Sequence, residues 1–132
     1  MAKITGIGGV FFKTQNPKEL GEWYKQHLGL DLEDWGGAIL KWQNDQADDK
    51  GLTVWHTAAN DTKWFSPSES SFMINYRVDN MAEMIIQLKS GNVEIVKGPE
   101  YHENGVFAWI MDPAGNKLEL WEPMAWDEKN KK

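Results

Sequence analysis

The chain of 132 residues contains no cysteine. That removes disulfides, thiolate zinc sites and a cysteine nucleophile, and it gives no sign of an oxidising compartment. Basic residues are also scarce: 14 Lys and Arg stand against 20 Asp and Glu, for a formal net charge of −6, and Arg77 is the one arginine. A nucleic-acid duplex or an anionic membrane needs a basic face that this composition does not supply. No apolar run approaches the roughly 18 residues of a membrane span, and the start, Met1-Ala2-Lys3-Ile4, carries no signal-peptide pattern. The sequence therefore predicts a soluble, cytoplasmic protein with neither nucleic acid nor membrane as partner. What it holds in excess is tryptophan, with eight copies in a chain that is 41% hydrophobic. One domain over 1–126 is expected, long enough to bury a real core, followed by a charged tail over 127–132.

The two halves read alike. Residues 4–13 predict a strand, and Thr14-Gln15-Asn16-Pro17 predicts a helix start with Asn16 as N-cap and Pro17 at the first position. Leu20, Trp23, Tyr24 and Leu28 then recur at helical spacing up to Gly29, a natural C-cap. Short strands are predicted at 30–33, 38–42 and 52–56, with a polar loop over 43–50. After a loop over 58–70 the order repeats. A strand is predicted over 71–78, and Asn80 caps a helix built on Met81, Met84, Ile85 and Leu88 that ends at Gly91. Three more strands are predicted at 93–97, 106–111 and 117–121. Each half is thus strand, helix, strand, strand, strand, with module one over 1–60 and module two over 68–126. One such unit covers a single face of a small sheet, so two must join to bury their surfaces.

The strongest local signal is Asp112-Pro113-Ala114-Gly115-Asn116, a turn between two alternating strands. If Met111 pairs with Lys117 across it, Trp109 faces Glu119 and Phe107 faces Trp121. Alternation then sets Phe107, Trp109, Met111, Lys117, Glu119 and Trp121 on one sheet face, and Leu118 and Leu120 on the other. The apolar side should meet the helices and the mixed side a cleft.

The turn, continued through Lys117-Leu118-Glu119-Leu120 at the end of a duplicated chain, resembles the vicinal oxygen chelate superfamily of glyoxalase I, bleomycin-resistance proteins and extradiol dioxygenases. Phe72-Met73-Ile74-Asn75-Tyr76-Arg77-Val78-Asp79-Asn80 resembles the opening of its second module, and Trp23-Tyr24 with Leu28-Gly29-Leu30 its first helix and exit. The resemblance implies an α+β fold in which two βαβββ modules form an open, barrel-like eight-stranded sheet, with helices outside and the cleft inside. It also implies a homodimer. In metal-dependent members it implies four inward ligands, which fall here on Gly9, Thr53, Met73 and Glu119. Only Glu119 is an ordinary ligand for a divalent ion, so no metal and no cofactor are expected.

Three groups remain as candidates for chemistry. Glu119, between Trp109 and Trp121, is placed to act as a general acid or base, as in an isomerase or lyase step beside a carbonyl; its alternative is a leftover ligand paired with a lysine or Arg77. Arg77 and Asn75 share the cleft face with Met73. Arg77 suits a clamp for a carboxylate or phosphate, its alternative being a structural ion pair with Asp79, Glu119 or a neighbouring chain. Trp55, Trp109 and Trp121, with Phe107, are read as walls of an aromatic pocket, while each alone is more simply bulk packing. His56 and His102 show no metal-binding spacing and stay as secondary candidates beside Glu119, His102 in a loop over 100–104 that could cover the cleft. The sequence thus predicts a protein that binds a small aromatic or hydrophobic ligand, with an anionic group if Arg77 is its clamp. The alternatives are a metal-dependent lyase or dioxygenase and a non-catalytic sequestering protein.

Overall fold

A computed structural model describes residue 7 and residues 9–45 and 51–123. Helix α1 runs over Pro17–Leu28, beginning at a proline whose fixed φ suits the first turn and whose missing N–H costs nothing there. It stops at Gly29, whose φ of 72° lies in the left-handed region that a side chain disfavours. Gly29 N donates to Lys25 O at 3.2 Å and Leu30 N to Tyr24 O at 3.3 Å, closing the last carbonyls. Helix α2, Met81–Ser90, is capped twice: Asn80 Oδ1 accepts from Glu83 N at 3.0 Å, and Glu122 Oε1 accepts from Met81 N at 2.7 Å. A carboxylate at that end also meets the positive pole of the helix dipole.

Four strands follow the helices' logic: β1 (Ile74–Arg77), β2 (Ile95–His102), β3 (Gly105–Met111) and β4 (Lys117–Pro123). Their order is β1-β4-β3-β2, with β1 parallel to β4 and the other two pairings antiparallel. The β3–β4 register pairs Met111 with Lys117, Trp109 with Glu119 and Phe107 with Trp121, as the turn predicts. Alternation then sends Val106, Ala108, Ile110, Leu118 and Leu120 to one side, where they form the core with Leu20 and Tyr24 of α1 and Met81, Ile85 and Leu88 of α2. Leu88, Ile110, Leu118 and Leu120 are fully buried, each contributing on the order of 2 kcal/mol.

The turn that sets this register is held by one side chain. Asp112 Oδ1 accepts from Ala114 N and Asn116 N, each at 2.9 Å, and Oδ2 accepts from Asn116 Nδ2 at 3.1 Å. Tyr24 donates its hydroxyl to the same Oδ2 at 2.8 Å, which ties α1 to the β3–β4 turn. Burial, with Tyr76 and Asp112 alongside, pushes the Tyr24 hydroxyl far above the ordinary tyrosine range, and burial likewise raises Tyr76.

Three expectations need correction. Among the described residues the sheet has four strands, all from the second half, so the eight-stranded barrel is not what the structure shows. Of the first-half segments read as strands, Leu32 and Ala38 form one antiparallel bridge, Trp42–Asn44 winds into a 3₁₀ turn, and 52–56 is irregular. Residues 9–13 are likewise irregular; residues 4–6 and 8 of that predicted strand, part of the 43–50 loop, and the charged tail lie outside the described residues. Alternating apolar residues supply only the capacity to pair, and a strand without a partner has no ladder to hold it. Val10, Phe11, Ile39, Leu40 and Val54 accordingly stand exposed, Phe11 at 96%. The third correction concerns Glu100 to His102, which extend β2 rather than forming a loop, so that only Glu103 and Asn104 turn the chain into β3.

Candidate aromatic binding face

The registers carry two rows of side chains across all four strands. One row is Asn75, Glu119, Trp109 and Lys97; the next is Arg77, Trp121, Phe107 and Glu100. These are the side chains facing away from the helices, and they make contact along and between the rows. Phe107 lies near-parallel to Trp121, with centroids 5.8 Å apart and planes 6° apart, and to Trp109 at 6.2 Å and 16°. Trp109 and Trp121 are buried at 7% exposure each, and Phe107 is half-buried. Two cations cap this aromatic row: the Arg77 guanidinium sits 5.1 Å from the Trp121 ring centroid, and the Lys97 ammonium 5.2 Å from that of Trp109.

Both indole N–H groups are engaged. Trp109 Nε1 donates to Glu119 Oε2 at 3.0 Å, and Trp121 Nε1 to Asn104 O at 2.8 Å. Asn75 Nδ2 donates to Glu119 Oε1 at 2.7 Å, so each oxygen of the half-buried Glu119 carboxylate has a donor. The rings are thereby locked in orientation, and the indole N–H groups belong to the protein's own bonding rather than to a ligand's. Arg77 is bound to Asp45, Nη2 lying 3.2 Å from Oδ1 and Nε also donating to that carboxylate, while Nη1 donates to Leu52 O at 3.2 Å. The ion-pair partner shown among the described residues is Asp45, on the chain beyond the first helix.

Lys117 lies on the same face, buried, with Nζ donating to Trp64 O at 2.9 Å. Burial lowers its ammonium below the usual lysine value, Lys97 adds to that, and Glu119 opposes it. The structure brings together Asn75, Arg77, Phe107, Trp109, Glu119 and Trp121. It leaves Thr53 exposed and Trp55 standing 77% exposed, outside the stacked aromatic group, and holds Met73 half-buried just before β1. His102 bonds Glu100 Oε1 at 3.0 Å and rests edge-on to Phe107 at 5.7 Å, at the end of the second row. His56 bonds the neighbouring Thr57 O and meets Trp64. Lys97 and Asp45 were not singled out by sequence; Lys97 was legible from alternation once β2 was in register, whereas Asp45 sits beside a loop with no periodicity. A concavity of about 520 Å³ opens on the opposite, helix side, between α2 and β2 and lined by Ile85, Lys89, Val93, Ile95 and Pro99. Asn92 and Glu94 also line it, and none of the residues singled out from the sequence as site candidates does.

No known family model matches the chain, and no curated protein does. Solved structures do. One from the mobile metagenome of V. Pseudocholerae is 12% identical, with a TM-score of 0.54, over 92% of this chain and 97% of that one. The chain has a vicinal-oxygen-chelate-like fold. Its structural neighbours are glyoxalase family, bleomycin-binding and related proteins of that fold. They include a glyoxalase family protein from Bacillus anthracis (20% identity, TM-score 0.37, 45% of this chain) and a bleomycin-binding protein complexed with bleomycin (32%, 0.36, 41% of this chain). The match spans about half the length of these two proteins, 47% and 52%.

Metal-dependent members of a vicinal oxygen chelate fold need a set of inward donors, and the residues here do not fit one. Gly9 brings no side chain, Thr53 a lone hydroxyl and Met73 a thioether, which leaves Glu119 as the one ordinary donor of the four. Among the described residues no three His, Asp or Glu side chains group to hold a metal ion, which leaves His56 and His102 outside such a set as well.

Proposed function

We propose that this chain binds a small, flat aromatic or hydrophobic molecule against the Phe107–Trp109–Trp121 face, with Glu119, braced by Asn75, as the polar anchor and without the usual metal quartet. One observation carries this reading: Phe107 lies near-parallel to two indoles, Trp109 and Trp121, which are fixed by hydrogen bonds to Glu119 and Asn104. A flat apolar surface that is already ordered loses little conformational entropy when a second ring stacks on it. Such a surface with a few placed polar groups is the usual make-up of a small-molecule site.

If the bound molecule is turned over, Glu119 is the group on this face for proton transfer next to a carbonyl. Glu119→Gln would then abolish turnover, and unchanged turnover would remove Glu119 from that role. Sequestration uses the same site without that step, and recovery of the intact compound after long incubation distinguishes it. Binding itself is tested by tryptophan fluorescence across a set of flat aromatic compounds, in the native chain and in Trp109→Phe. Saturable quenching that weakens about tenfold in the variant is expected. No saturable quenching by any compound would contradict the reading.

A homodimer belongs to the same proposal. Val10, Phe11, Ile39, Leu40, Val54 and Trp55 are exposed apolar side chains from one half of the chain, and a second copy would cover them.

A further inference from the structure

We infer that the bound molecule is a planar cation, and that the Lys97 ammonium holds its place over Trp109 until it arrives. The inference rests on the binding reading above and adds the charge of the ligand. An indole presents a negative face to whatever lies over it, so the position 5.2 Å above Trp109, now taken by Lys97 Nζ, favours positive charge. Lys97 is a weak incumbent. Its side chain is 61% exposed and its ion pair with Glu100 is 3.5 Å long, so swinging it into water costs little. Arg77, the other capping cation, is 18% exposed and bound by Asp45 and the Leu52 carbonyl, and it stays where it is.

Electrostatics at the vacated position point the same way. Trp109 Nε1 bonds Glu119, so the indole that would stack on the ligand is joined directly to a carboxylate. A cation entering there replaces one positive charge by another over the ring. An anion would lose the attraction of the ring face and meet Glu119. Nor do the two less exposed cations of the face offer an anion a ready clamp: Arg77 is engaged by Asp45 and Lys117 Nζ by the Trp64 carbonyl. The chain's net charge of −6 favours a cation at long range as well.

Three molecules of one shape separate the possibilities: N-methylquinolinium, neutral quinoline and naphthoate, titrated by calorimetry at pH 7.5 into the native chain, Lys97→Ala and Lys97→Arg. The expected result is that N-methylquinolinium binds about tenfold tighter than naphthoate, that Lys97→Ala tightens it several-fold further, and that Lys97→Arg does not. Tighter binding of quinoline or naphthoate, or an affinity for the cation that Lys97→Ala leaves unchanged, overturns the inference and leaves the aromatic-face reading standing. Heat from none of the three in any variant overturns both.

Discussion

At the scale of single residues, the side chains that matter most to the fold are polar. Asp112 accepts from Tyr24, Ala114 and twice from Asn116, and sets the turn from which the whole β3–β4 register runs. Asp112→Ala strands these donors in a buried place, and a loss of about 3 kcal/mol or more is expected from urea denaturation. Tyr24 adds a pH dependence. A hydroxyl raised by burial keeps its proton in the folded state after the unfolded chain, near its ordinary value of 10.0, has begun to lose it. Its contribution is therefore complete below about pH 10 and declines above it, and Tyr76 acts in the same sense. Lys117 opposes: its proton is bound less tightly when folded, a cost that fades as the pH rises toward the unfolded value of 10.5. With two tyrosines against one lysine, the urea midpoint should drop between pH 9.5 and 11, a window set by that ordinary value of about 10. Tyr24→Phe should flatten the drop while lowering the midpoint at pH 7. The position of Glu119 between Trp109 and Trp121 was legible from alternation alone. Its partnership with Asn75 needed the parallel pairing of β1 with β4, which no local pattern encodes, and the Arg77 partner, Asp45, lies 32 residues away.

At the scale of elements, the helices and the final hairpin were readable because their punctuation is chemical. Pro17 and Gly29 bound α1, Asn80 opens α2, and the Asp-Pro-Ala-Gly-Asn turn fixes its two strands. The second cap on α2, Glu122, comes from the end of β4 and appears only once the sheet is assembled. Asn80→Ala and Glu122→Ala should each lower stability by about 1 kcal/mol, and the double variant should lose roughly the sum, since the two cap different N–H groups. Gly105 is a sharper case. Its φ is 140°, and a Cβ there would stand 2.3 Å from Glu122 O and 2.6 Å from Trp121 Nε1. Gly105→Ala must therefore move the β3–β4 backbone and the Trp121 indole together, and it should shift the near-ultraviolet circular dichroism as well as the melting temperature. The first-half strands misled because alternation records which side chains seek cover, not what covers them. Only the Leu32–Ala38 bridge forms there among the described residues.

For the whole molecule, the helix-side core and the aromatic face lie on opposite sides of one four-stranded sheet. The exposed apolar side chains of the first half are proposed to be covered by a second copy: sedimentation should report a dimer, and Phe11→Lys with Val54→Lys should shift it to monomer. A monomer at all concentrations would assign those residues elsewhere. Whether the Phe107–Trp109–Trp121 face is the binding site is read from the indole N–H resonances of the tryptophans in a nitrogen-15 correlation spectrum during titration with N-methylquinolinium or whichever flat compound quenches fluorescence best. Trp109 and Trp121 should move together and saturate, while Trp35 and Trp42, exposed at 70% and 79%, stay in place. Movement of Trp35 and Trp42 with Trp109 and Trp121 unmoved would contradict it.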